Sequence, residues 1–128
     1  KRKPMLTFRV DKENNILFIN IIGMTPKDKL AEYINEFSQK CSEFKKEFII
    51  VNDMSLCKIS SEYDVEVMCK LSQMMLQKFS ISKVIRITGA NTENLKKLMR
   101  TDKKIGLQNI HYASTRKEAE ALWSKVSE

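Results

Sequence analysis

The stretch Phe48-Ile49-Ile50-Val51-Asn52-Asp53-Met54-Ser55 decides the fold of this chain. Residues 48–51 form an unbroken apolar run rich in β-branched side chains, and the polar pair Asn52-Asp53 closes it. Such a run predicts a short strand covered on both faces, unlike a half-exposed strand, which alternates apolar and polar residues. A strand covered on both faces belongs inside a sheet that carries helices, so the flanking segments should show the helical period.

They do. Upstream, Leu30, Ile34, Phe37, Cys41 and Phe44 recur at helical spacing, which places one apolar stripe on a helix of about five turns. Thr25, Pro26 and Asp28 supply its N-cap, first position and acidic first turn. Before it, Met5 to Val10 and Ile16 to Ile22 read as strands joined across Lys12-Glu13-Asn14-Asn15, an antiparallel hairpin closed by Gly23. Downstream, Ser61 to Asp64 is a capping signal for a helix running to about residue 79, with Val67, Met68, Leu71, Met74 and Met75 expected inward. Ile81 to Thr88 is the next strand. Asn91 caps a third helix that should bury Leu95, Leu98 and Met99. Asn109 to Ala113 reads as an edge strand, and Thr115 to Glu118 opens a last helix with Leu122 and Val126 inward. Trp123 is placed over the sheet edge or partly in solvent.

The resulting class is α/β: a mixed, mostly parallel sheet of about five strands with about four helices, in the order β-β-α-β-α-β-α-β-α. Residues 1–128 are read as one domain, with the basic residues 1–4 set apart from the fold. The composition agrees, with 42% apolar and 30% charged residues and only three glycines and two prolines. That balance argues against disorder and against a loop-rich all-β fold. Cys41, Cys57 and Cys69 are odd in number and irregularly spaced, and His111 is the sole histidine. Free buried thiols in a reducing, cytoplasmic setting are therefore expected, with no metal site and no cofactor. No apolar run approaches the roughly 18 residues a membrane span needs.

The segment Asp53-Met54-Ser55, running into Ile59-Ser60-Ser61, resembles the STAS domains (sulfate-transporter and anti-sigma-factor-antagonist domains) and the neighbouring SpoIIAA-like family. Those domains carry a buried strand ending in Asp-Leu-Ser, then an Asp-Ser-Ser/Thr-Gly element at the next helix start. Here the second element reads Ser60-Ser61-Glu62-Tyr63-Asp64, lacking the preceding Asp and the following Gly. The strand–helix order extends the resemblance from about Met5 to Lys125. It implies a non-enzymatic regulatory or protein-interaction module that binds through the Asp53 to Asp64 segment and the helix after it. It also implies Ser61, or Ser60, as a phosphoacceptor. A phosphate at a helix start meets free N–H groups and the positive end of the dipole. Glu62 and Asp64 would oppose it, and the plain reading of Ser61 is an N-cap with no regulatory role.

The residues show no catalytic constellation. Gly23, Gly89 and Gly106 are isolated, which excludes phosphate-cradling loops, and nothing places a nucleophile beside His111. Asp53, Ser55, Asp64 and Asn91 are the candidates for contact with a partner or ligand, since ligands gather at the carboxyl edge of open α/β sheets. Arg86 interrupts an apolar strand. It is exposed near an edge, ion-paired, or aimed at a bound anion. Lys96, Lys97 and Arg100, with Lys103 and Lys104, make a basic cluster in a chain of net charge +7. With Arg86 they are the candidate anion contacts. The partner expected is another protein. The alternatives are a small ligand or lipid held between the Met-rich second helix and the basic third, or nucleic acid bound through residues 96–104.

Overall fold

The computed structural model describes residues 5–24, 29–58 and 61–124. Its elements are β1 (Met5–Asp11), β2 (Ile16–Met24), α1 (Leu30–Cys41), β3 (Phe48–Lys58), α2 (Glu62–Lys78), β4 (Ile81–Ile87), α3 (Thr92–Ile105), β5 (Ile110–Ala113) and α4 (Arg116–Trp123). The order matches the expectation from the sequence. The five strands lie in the order β1-β2-β3-β4-β5. The β1–β2 pair is antiparallel and the other pairs are parallel.

The hairpin forms because Asp11 closes its own turn. Its carboxylate accepts the Asn14 backbone N–H at 3.1 Å and the Asn14 side-chain amide at 3.0 Å. Asn15 then takes the left-handed conformation that Asn tolerates. Thr25, Pro26 and Asp28, expected to open the first helix, lie outside the described residues, as do Ser60 and Val126. Phe44, assigned to that helix from its spacing, lies beyond its end and stacks on Phe48 at 4.2 Å.

Alternation sorts each strand between two layers. Leu17, Ile19 and Ile21 of β2, Phe48, Ile50 and Met54 of β3 and Val84 of β4 join Phe37, Cys41, Val65, Met68, Met75 and Leu98 in the main core, under α1, α2 and α3. On the other face Ile16, Val51, Ile85, Ile87 and Ala113 pack with Ala119, and Leu122 and Trp123 complete the cover. A single short helix, α4, does the covering there, and it contacts β3, β4 and β5. On the same face β1 and β2 present Thr7, Arg9, Phe18 and Asn20 at the margin of α4, which reaches only Phe18 with Trp123 and Arg116.

Two inward assignments are corrected. The buried residues of α2 are Asp64, Val65, Met68, Cys69, Ser72 and Met75, whereas Met74 is 48% exposed and Val67 half-buried. Met99 of α3 is likewise 48% exposed, and only Leu98 of the expected trio is fully buried. The period was right and the phase was not. Ser72 and Asp102 occupy inward positions because a buried guanidinium bonds to them there, which no hydrophobic pattern reveals, and Asp64 and Thr101 are buried beside them on the same helices.

All three cysteines are buried. Burial pushes the thiols of Cys41 and Cys69 up to about 12. Since the thiolate is the reactive species, native protein should react with a disulfide-exchange reagent on the order of a hundredfold or more slower than unfolded chain. Timed absorbance traces with and without denaturant check this. A thiol reacting equally fast in both would show that its site is open.

Candidate functional site

The carboxyl edge of the parallel strands gathers the starts of α2, α3 and α4, each capped as the sequence predicts. Ser61 Oγ accepts the Asp64 N–H at 3.2 Å, Asn91 Oδ1 the Asn94 N–H at 3.1 Å, and Thr115 Oγ1 the Glu118 N–H at 3.1 Å. Glu118 closes the last box by accepting the backbone N–H and the hydroxyl of Ser114, both at 2.8 Å.

Strand β3 does not end at Asn52-Asp53. It continues to Lys58, paired with β2 through Leu56, Cys57 and Lys58, after a register shift opposite Asn20–Ile22. Asp53 makes the shift possible, because its Oδ1 accepts both the Ser55 N–H at 3.0 Å and the Ser55 hydroxyl at 2.6 Å. The turn chemistry seen in the sequence is real, but it serves a bulge inside the strand. The β4–α3 loop crosses beside this bulge at Gly89, where a Cβ would sit 3.2 Å from Ser55 Cβ. Gly89 also has φ +70°, so glycine is demanded there twice over.

The structure separates the candidate residues. Ser55 is exposed, and Asp53 turns toward the α4 face. Asp64 is 1% exposed, so its carboxylate faces the interior and is corrected from a partner contact to a core residue. Arg86 takes the ion-paired alternative that the sequence left open, and its assignment as an anion contact is corrected. It is fully buried, with Nε donating to Asp102 Oδ2 at 3.0 Å, Nη2 to Asp102 Oδ1 at 2.9 Å, and Nη2 also to Ser72 Oγ at 3.4 Å. Tyr112 donates its hydroxyl to the same carboxylate. Burial alone would raise the Asp102 carboxyl, but the guanidinium beside it and the bonds from Arg86, Tyr112 and Cys69 hold it below the usual carboxylate range. Arg86 is thus spent on an internal pair and lies on the opposite side of α3 from the exposed Lys96 and Arg100. Lys97 is half-buried, and Arg100 makes a surface ion pair with Glu62 at 3.6 Å. His111 is exposed on the edge strand.

What remains toward the surface is an apolar line on α2, of which the sequence reading had placed Val67 and Met74 inside. Tyr63, Val67 and Met74 fall on one outward line of α2, with Lys70 between them, and Tyr63 is 60% exposed. Leu56, at the end of β3, is 54% exposed. The signal was present in the sequence, since two apolar stripes run along α2. Choosing the inner one required knowing where Arg86 lies. Among the described residues no three metal-ligating side chains converge, and no helix is long and apolar enough to cross a membrane.

A five-stranded mixed sheet in sequential order, three helices on one face and one on the other, define this chain as having the STAS/SpoIIAA-like fold. A solved structure of an uncharacterized DUF3478-family protein with a SpoIIAA-like fold from Shewanella loihica PV-4 superposes with a TM-score of 0.66 at 9% identity, covering 94% of this chain and 93% of that one. The anti-sigma factor antagonist SpoIIAA in its unphosphorylated form superposes with a TM-score of 0.61, also at 9% identity, over 95% of this chain and 100% of that one. No protein-family model and no curated protein matches this chain by sequence.

Proposed function

We propose that this protein is a non-enzymatic interaction module that binds an acidic surface of another protein through the outward face of α2 and the adjoining end of β3. The observation that supports this most is the pair Tyr63 and Met74, exposed on the outward line of α2 with the half-buried Val67 between them. A large aromatic and a flexible thioether are the kinds of side chain that anchor interfaces. Lys70 on the stripe and the exposed Lys96, Lys103 and Lys104 of α3 give its surroundings a positive field. The similarity to an anti-sigma factor antagonist points the same way.

Ser61 is the proposed point of control. It caps α2 two residues before Tyr63, and Glu62 holds Arg100 nearby. A phosphate on Ser61 would compete with Glu62 for that guanidinium and change the charge beside the stripe.

Three baits test the surface: wild type, Tyr63→Ser/Met74→Ser, and Arg9→Gln/Arg116→Gln, which alters the opposite face of the sheet. An acidic protein captured by the first and third and lost by the second is expected, with affinity falling about 30-fold or more when titrated, the usual scale for losing an anchor. Equal affinity for the folded α2 variant would remove the proposal.

A further inference from the structure

The second surface of interest lies where α4 stops short of β1 and β2. A recess of about 210 Å³ opens there, lined by Thr7, Arg9, Phe18, Asn20, Asp53 and Arg116. The register places Arg9 opposite Phe18 and Thr7 opposite Asn20 across the hairpin, and Asn20 beside Asp53 across β2–β3. The Arg9 guanidinium stands 4.1 Å from the centre of the Phe18 ring, and that of Arg116 5.1 Å from it. Trp123 meets Phe18 edge-on at 5.4 Å, and the Arg116 guanidinium also lies 5.6 Å from the Trp123 ring. Two cations are therefore held on one aromatic platform from two different elements.

Among the described residues the nearest compensation is electrostatic only, from Asp11 on Arg9. Among the described residues no carboxylate forms an ion pair with Arg9 or Arg116. Arg116 opens α4, the helix end where a cation is disfavoured by the dipole, so helix stability does not account for it. Stacked guanidiniums are oriented in advance, and their planar forks suit the oxygens of a carboxylate or phosphate. At the other end of the recess Asp53 uses Oδ1 on Ser55, which leaves its second oxygen for a donor. An anion alone would be repelled by Asp53. A molecule with an oxyanion at one end and an amine or hydroxyl at the other satisfies both ends, and the volume limits it to small-molecule size.

We infer that this recess is a binding site for a small amino- or hydroxyl-bearing organic phosphate or carboxylate, with Arg9 and Arg116 on the oxyanion and Asp53 on the donor. The site is on the opposite side of the sheet from the α2 stripe and stands independently of it.

Amide and indole NMR spectra of the 15N-labelled protein test this at low salt, with 4-aminophenyl phosphate as probe. Phenyl phosphate and inorganic phosphate serve as comparisons. Trp123 is the single tryptophan, so one indole signal reports the site directly. Saturable shifts of that signal and of the Thr7, Arg9 and Asn20 amides are expected, with a dissociation constant of about 1 mM or tighter. Arg9→Gln and Arg116→Gln, both at exposed positions, should each weaken binding about tenfold, a change of roughly 1.4 kcal/mol. Phenyl phosphate and inorganic phosphate should bind several-fold more weakly. Tyr63→Ser/Met74→Ser should bind the probe like wild type. No saturable shift up to about 10 mM, or equal binding by the arginine variants, overturns the site. Equal binding of phenyl phosphate overturns the assignment of Asp53.

Discussion

Replacing Asp102 with asparagine is expected to cost about 3–5 kcal/mol of folding stability, a large share of what a domain of this size has. The reason is asymmetric. Arg86 is fully buried, and its guanidinium meets the Asp102 carboxylate through two bonds of 2.9 and 3.0 Å. An amide keeps the shape but removes the charge, so the guanidinium stays in the core without its counter-ion. The converse experiment separates this from ordinary packing. Arg86→Met combined with Asp102→Leu removes both charges and should recover most of the loss, because a buried pair often contributes little against an apolar replacement of similar volume. Urea denaturation of the four proteins measures it. A double variant as unstable as Asp102→Asn would mean that the pair is not the source of the loss.

The same pair sets a pH dependence. The Asp102 carboxyl is held below its unfolded value by Arg86, Tyr112 and Cys69. Its contribution is complete above the unfolded carboxylate value of about 4 and drains away as pH falls through the lower folded value. The acid limb of the stability curve should therefore be shallower in Asp102→Asn than in wild type.

The second large effect is at Leu17, where alanine is expected to cost about 2–5 kcal/mol. Leu17 is fully buried near the start of β2, opposite Val10 on one side and Ile50 on the other. Its side chain belongs to the core beneath α1 to α3, so truncation loses apolar burial and leaves a void bounded by a sheet that cannot collapse freely. Leu17→Met, which nearly conserves volume, should cost less than about 1.5 kcal/mol. Denaturation midpoints of the two variants decide it. Similar losses for both would show that the position tolerates no change of shape, whatever the cavity.

Much of the architecture was legible because periodicity and caps are local. The apolar run at Phe48 to Val51, the hairpin turn at Asp11 to Asn15 and the caps at Ser61, Asn91 and Thr115 each depend on residues within a few positions of one another. The course of β3 beyond Asp53 was not legible. Whether Asp-Met-Ser ends a strand or bulges within it depends on β2 continuing alongside to Met24. The candidate surface was half legible. Its place near the start of α2 followed from the strand order, but Val67 and Met74 were assigned to the wrong side, and Asp64 was assigned to the surface.

The sequence by itself determined the class of this protein, the order of its nine elements and the chemistry that starts three of its helices, since short-range hydrogen bonding and side-chain period carry that information. Only the tertiary structure decided which face of α2 is buried, that Arg86 is internal, and that Arg9 and Arg116, more than a hundred residues apart, share the ring of Phe18. Those outcomes rest on long-range pairing. A buried cation selects the polar partners around it, and their positions turn the apolar residues of the same helix outward.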